Sequence, residues 1–210
     1  MLRKEFYMGE KVKILDYTES PLHLISYAAG VCYNKQDVYN DKRVRGCIKA
    51  GHGSVVEHVH IVYELSNISR SCLAQLCRHR HISLSVQSQR YCKFDEETLK
   101  AGNWYVTPPS VTVDSKTLEE YCDDMDCQLK KYIELTKTGV KAEDARFLLP
   151  ESTKTRLVMS TNARELQSIL KLRLDSHAQW EIRGLANEIV VETEALNDEW
   201  KQLIEWLLEF

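Results

Sequence analysis

The spacing of apolar positions divides the chain into short alternating elements. Pro21 followed by Leu22, Leu24, Ile25, Tyr27, Ala28 and Ala29 predicts an early helix, and Arg43 to Ala50 a second one ending near Gly51. Val55 to Leu65, rich in valine, isoleucine and tyrosine, reads as a strand. Ser69 or Ser71 then caps a helix carrying Leu73, Ala74, Leu76 and Cys77, which delivers Gln75 and Arg78 to a basic loop. Trp104 to Pro109 is extended and turn-like. From Asp114 to about Lys137, Leu118, Tyr121, Met125, Leu129, Tyr132 and Ile133 recur at helical spacing, closed by Gly139. Ala142 to Leu149 forms a short helix stopped by Pro150, and Thr153 to Ser160 a strand. Asn162 with Glu165 makes a capping-box pattern for Ala163 to Leu172, and Ser176 with Gln179 repeats it for the next helix. Trp200, Leu203, Ile204, Leu207 and Leu208 finish the chain in an amphipathic helix. The class is α+β, rich in helix.

Composition narrows this picture. A length of 210 residues, with only 4 prolines and 8 glycines and no linker, fits a single domain over residues 1–210. A net charge of −3 argues against broad binding to a nucleic-acid backbone, which needs a basic face. The first residues lack the apolar stretch of a secretory signal, and no apolar run approaches the roughly 20 residues needed to span a bilayer. A cytoplasmic protein without membrane partners is expected. The 7 cysteines are odd in number and lack zinc-knuckle spacing, so they read as reduced thiols, mostly small packing residues, none of them a nucleophile.

Chemistry concentrates in Arg78 to Tyr91, where three arginines, two histidines, three serines and two glutamines share fourteen positions. Arginine offers a planar fork of donors that matches phosphate or carboxylate oxygens, while serine and glutamine can read a polar ring edge. Polar groups so dense are costly to bury without partners, so this loop is expected to face an anionic, heterocyclic ligand. Other polar patches lie at Gly51 to His58, at Arg146 within Ala145-Arg146-Phe147-Leu148-Leu149-Pro150, at Asn162-Ala163-Arg164, and from Leu172 to Trp180. Isolated arginines in apolar sequence suit pocket ligation better than solvation. Two other readings stand beside this one. A nucleic-acid module would use Arg78, Arg80, Arg90 and Tyr91 for phosphate contact and stacking. A metal hydrolase would use His52, His58, His60, His79 and Cys77, which lack a fixed ligand spacing.

Together the blocks resemble a known family. Arg78-His79-Arg80, then seven residues, then Ser88 resembles the hallmark of the flavin-dependent (ThyX-type) thymidylate synthases. Gly51-His52 through Glu57-His58, Ala145-Arg146 with Leu149-Pro150, Asn162-Ala163-Arg164, and Leu172-Arg173 through Ile182 are similar to further blocks of that family, in its order. The resemblance implies a small antiparallel sheet among helices and an enzyme that methylates dUMP to dTMP. It implies tightly bound FAD, 5,10-methylenetetrahydrofolate and NADPH as co-substrates, no metal, and a homotetramer with shared active sites. By resemblance, Ser54, Arg78, His79, Arg80, Asn162, Arg164, Ser168 and His177 hold FAD. Gln75, Arg78, Gln87, Ser88, Arg90, Arg146 and Arg173 contact dUMP. Arg173 polarises the pyrimidine and His52 lies near flavin and folate, so these two are the expected catalytic residues. Val86 departs from the family, which often has a polar residue there.

Overall fold

The structure, a computed structural model, describes residues 11–210. Its sheet has four strands in the order β1-β2-β4-β3, namely β1 (Val12–Tyr17), β2 (His60–Ser69), β4 (Lys154–Asn162) and β3 (Ile82–Val86). β1 and β2 run antiparallel, with Val12 opposite Leu65 and Ile14 opposite Tyr63 before the register shifts between Ile14 and Asp16. That irregularity breaks the period-two pattern of β1, which explains why its six residues do not announce a strand in the sequence.

Two further elements differ from expectation. The apolar run from Val55 begins with a single 3₁₀ turn (Gly53–Val55), and β2 starts only at His60, where burial of Ile61, Tyr63 and Leu65 alternates with polar positions. The stretch after Arg80 is a strand rather than a loop. Ile82, Leu84 and Val86 are half-buried while Ser83 and Ser85 face solvent, a two-sided pattern that the high polar content conceals.

The chain divides into two compact units. The larger takes the chain up to Leu65, Gln75–Ser85 and Leu157–Phe210. It contains α1 (Pro21–Val31), α2 (Asp41–Lys49), α7 (Ala163–Arg173), α8 (Trp180–Glu194) and α9 (Asp198–Glu209). Its buried side chains include Leu22, Ile25, Leu166, Leu170, Leu185, Trp200 and Leu203. Two polar groups of this core are paired: Trp200 Nε1 donates to Thr18 O at 2.9 Å, and Tyr63 shares a 2.8 Å hydrogen bond with Thr193. Gly30 lies where chain segments converge, since a Cβ there would stand 2.7 Å from Gln36 Cα and 2.8 Å from Lys35 O.

The second unit takes Ser66–Ala74 and Val86–Arg156. Its core joins Trp104 to Met125, Leu129, Tyr132 and Ile133 of α5 (Ser115–Lys137) and to Ala145 of α6 (Ala142–Ala145). The periodic apolar positions of α5 thus face a core of their own, and α4 (Glu96–Ala101) also packs against this helix.

The helix starts follow local chemistry. Ser69 Oγ accepts from Cys72 N at 2.9 Å and caps α3 (Arg70–Leu76), one of the two candidates for that role. Asn162 Oδ1 accepts from Glu165 N at 2.9 Å at the start of α7. At α8 the cap is Gln179 itself, whose side-chain oxygen accepts from Glu181 N and Ile182 N; Ser176 instead lies in the preceding turn. Of the cysteines only Cys72 is buried, so the expectation of packing residues fails for most of them; Cys32, Cys77, Cys92 and Cys127 are exposed. No helix among the described residues is long and apolar enough to cross a membrane.

Candidate active site

In the larger unit, α7 presents chemistry at both ends. At its C-terminal end, Arg173 Nε donates to His79 Nε2 at 3.0 Å and Arg173 Nη2 to the Gln75 carbonyl at 2.9 Å. Gln75 O lies in the last turn of α3 and also accepts from Arg78 N at 3.3 Å; carbonyls at a helix C-terminus carry partial negative charge and favour a cation. The half-buried Arg173 is therefore oriented by polar partners, while Leu172 next to it is exposed. His79 is buried, and its other nitrogen, Nδ1, stands 3.4 Å from Glu165 Oε1. Burial, then the charge of Arg173, push the His79 imidazole below its ordinary pKa, against the opposing pull of Glu165.

The alternation of burial along Arg78-His79-Arg80 separates their roles. Arg78 and Arg80 are exposed cations on either side of an inward imidazole. Near the N-terminal end of α7, exposed Arg164 pairs with Glu57 and lies across Gly53; a Cβ on that glycine would stand 2.6 Å from Arg164 Nε. The missing side chain allows the guanidinium to rest on the turn that carries Ser54, with His52 at its start. Asn162 is spent on capping, though its amide nitrogen remains a donor. Ser168, exposed one turn further on, donates back to Arg164 O at 3.4 Å. Exposed His177 is held by Asp175, whose carboxyl drops below its usual range because it accepts the backbone N–H and ring N–H of His177.

In the second unit, a turn and a short helix supply the other arginines. Ser88 O accepts from Tyr91 N and Cys92 N, and Ser88 Oγ from Arg90 N at 3.2 Å, so Ser88 organises the turn that carries Arg90. Exposed Arg90 Nε donates to Glu143 Oε2 at 2.8 Å, and Arg90 Cζ lies 5.7 Å from the centroid of the Tyr91 ring. Glu143 also accepts from Arg146 Nε at 3.1 Å through its main-chain oxygen. Glu143 thus gathers two predicted substrate arginines. Gln87 is held by its main chain, its N–H donating to Arg156 O at 2.8 Å and its carbonyl accepting from Arg70 Nη2 at 3.3 Å.

The sequence reading missed two carboxylates that organise these groups, Glu143 and Glu165, and placed Glu57 in a polar block without giving it a role. Glu165 had a visible signal, since it stands three residues after Asn162, but that spacing suggested a local cap. Its carboxylate reaches His79 instead. Among the described residues, no group of three or more histidine, cysteine, aspartate or glutamate side chains is placed to hold a metal ion.

Comparison with known proteins decides between the readings. A family model described as thymidylate synthase complementing protein matches residues 13–196. The flavin-dependent thymidylate synthase of Pyrococcus horikoshii is 36% identical over 206 residues, covering 93% of this chain and 84% of its own. That of Clostridium tetani is 34% identical over 211 residues, covering 88% and 82% respectively. The chain belongs to the flavin-dependent thymidylate synthase family. Membership makes it an enzyme, a methyltransferase, and displaces the nucleic-acid and metal-hydrolase readings. Among solved structures, thymidylate synthase X from Helicobacter pylori, crystallised with FAD and dUMP, superposes with a TM-score of 0.75 at 28% identity, covering 95% of this chain and 99% of that one. The expected small antiparallel sheet among helices is the fold of the family.

Proposed function

We propose that this chain forms dTMP by reductive methylation of dUMP, with 5,10-methylenetetrahydrofolate as carbon donor, tightly bound FAD and NADPH as reductant. The observation that carries the reading is Arg173, a guanidinium whose orientation is set by a buried imidazole and a main-chain carbonyl. Such a group suits an electrostatic task in which donors are aimed before charge develops. In this reading Arg173 polarises the pyrimidine and favours ionisation at N3. Gln75, Arg78, Gln87, Ser88, Arg90 and Arg146 hold the nucleotide, their cations balancing its phosphate. Ser88 has no adjacent general base and serves as a binding group, not a nucleophile.

The donor set of the larger unit fits FAD. Arg78, Arg80 and Arg164 are exposed cations suited to a pyrophosphate, and Ser54, Ser168, Asn162 and His177 add further polar groups. His79 is buried, between Arg78 and Arg80 in sequence, and His52 faces solvent at the turn before Ser54. When bound, FAD supplies the hydride chemistry, while the protein binds, orients and excludes water. We further propose a homotetramer in which residues of one site come from more than one chain. The reaction is placed in the cytoplasm, a reducing compartment that suits free thiols.

The test is direct. Purified protein is expected to be yellow or to bind added FAD, and to form dTMP only when dUMP, methylenetetrahydrofolate, FAD and a reductant are all present. Protein that leaves the FAD spectrum unchanged and forms no dTMP overturns the reading. For the shared site, mixing Arg90→Ala and Arg173→Ala chains under demonstrated subunit exchange should restore part of the activity, and no recovery rejects that partition.

A further inference from the structure

We infer that Glu165 is a positioning residue for thymidylate synthesis, holding the Arg173 guanidinium through the imidazole of His79. The inference rests on Arg173 being the pyrimidine contact.

Glu165 and Arg173 stand eight residues apart on α7, an axial separation of about 12 Å at 1.5 Å per residue. The His79 ring spans that gap, with Nδ1 at 3.4 Å from Glu165 Oε1 and Nε2 at 3.0 Å from Arg173 Nε. The protons follow from chemistry. A guanidinium donates and never accepts, so Nε2 must present a lone pair to Arg173. The single proton of the neutral ring is then on Nδ1, directed at the Glu165 carboxylate. The partner of one ring nitrogen selects the tautomer and so the character of the other. Glu165 thus makes His79 an acceptor on the side where Arg173 needs one.

The setting limits the alternatives. His79 and Glu165 side chains are only 6% and 11% exposed, so water is a poor substitute partner for either. The start of α7 is already capped by Asn162, which leaves the Glu165 carboxylate free of the capping duty its sequence position suggests. Without that carboxylate the ring can adopt the opposite tautomer. It then places an N–H against the N–H of Arg173, and the guanidinium loses a contact that orients it.

The experiment uses the flavin-loaded enzyme and four variants: Glu165→Ala, Glu165→Gln, Arg173→Ala and the double Glu165→Ala/Arg173→Ala. Bound flavin per chain and thermal unfolding report on the fold, while kcat and KM for dUMP-dependent oxidation of reduced flavin are expressed per bound flavin. Glu165→Ala should lower kcat/KM by about five- to thirtyfold, mostly in kcat, the size expected of coupled neighbours. Glutamine, whose amide oxygen still accepts from Nδ1–H, should recover most of that loss. The double variant should be no slower than Arg173→Ala alone. Multiplicative losses in the double variant, or normal turnover of Glu165→Ala, overturn the inference.

Near-normal turnover of Arg173→Ala overturns the reading of Arg173 itself, and this inference with it. A slow Arg173→Ala beside a normal Glu165→Ala overturns the inference alone. Should the alanine variant fail to load flavin, Glu165→Asp carries the test, because it keeps a carboxylate but withdraws it by one methylene. A drop in kcat per bound flavin supports the inference, and unchanged turnover overturns it.

Discussion

Arg173 and Arg90 are both assigned to the nucleotide, yet they are held in opposite ways. Arg173 is half-buried and fixed along its Nε and Nη2 edge by a ring nitrogen and a main-chain oxygen, neither of which can swing away without moving backbone or core. Arg90 is more than half exposed and held by one side-chain carboxylate, that of Glu143. The first arrangement spends little side-chain entropy when a ligand arrives, because the rotamer is already selected. The second must exchange a partner for the incoming anion. Under the proposed assignment, orientation is built in at Arg173, where the pyrimidine would be polarised, and adaptability is left at Arg90, where the nucleotide would be captured.

Removing the oriented cation should produce the largest effect. Arg173→Ala loses a charge-assisted hydrogen bond worth roughly 1.5–3 kcal/mol, so kcat should fall by about ten- to a hundredfold, with flavin still bound. Lysine should rescue poorly, because a point cation cannot make the Nε and Nη2 contacts together. Stopped-flow oxidation of reduced flavin with dUMP and methylenetetrahydrofolate measures this, and near-normal rates in the alanine variant reject the role. Arg90→Ala should behave differently, raising KM for dUMP by about tenfold while kcat changes little, as loss of uniform binding does. If its kcat falls as far as that of Arg173→Ala, the contrast between the two arginines is wrong.

His79 adds a pH dependence to the oriented half. Its folded pKa is lowered by burial and by Arg173, with Glu165 opposing, whereas the unfolded value is about 6.5. Below about pH 6.5 the unfolded chain therefore binds a proton that the folded chain resists. Stability is fully present above that pH and is lost as pH falls toward the folded pKa. Between pH 6.5 and 5, above the main carboxylate range, the Tm of the wild-type protein should fall more steeply than that of His79→Gln. Equal slopes would mean that the imidazole titrates freely and does not bridge Glu165 and Arg173.

What could be read from the sequence depended on how local the cause was. The periodic face of α5, the cap at Asn162 and the arginine blocks all lie within a few residues of what determines them. β1 was hidden because its register irregularity breaks the alternation, and β3 because Ser83 and Ser85 made its exposed face look like a ligand loop. The alternation of inward His79 with outward Arg78 and Arg80 was likewise not visible, since neighbouring residues in a polar run carry no mark of burial. Glu165 shows the limit most clearly. Its position spells a cap, and only the folded chain brings His79, 86 residues earlier, within reach of its carboxylate.

The smallest effect tests the adaptable half. Glu143→Gln removes the charge that holds Arg90 and leaves the main-chain oxygen that accepts from Arg146. Because Arg90 is more than half exposed and Glu143 only partly buried, stability should change by less than about 1 kcal/mol. The effect on the substrate follows from competition. A phosphate approaching Arg90 meets a carboxylate 2.8 Å from the same nitrogen, so neutralising it should lower KM for dUMP by up to about threefold. The difference should shrink as ionic strength rises and screens the exposed charges. A rise in KM carries the opposite meaning. It would show that Glu143 holds Arg90 in the productive orientation, as Gln75 O and His79 hold Arg173, so that both arginines belong to one preorganised class.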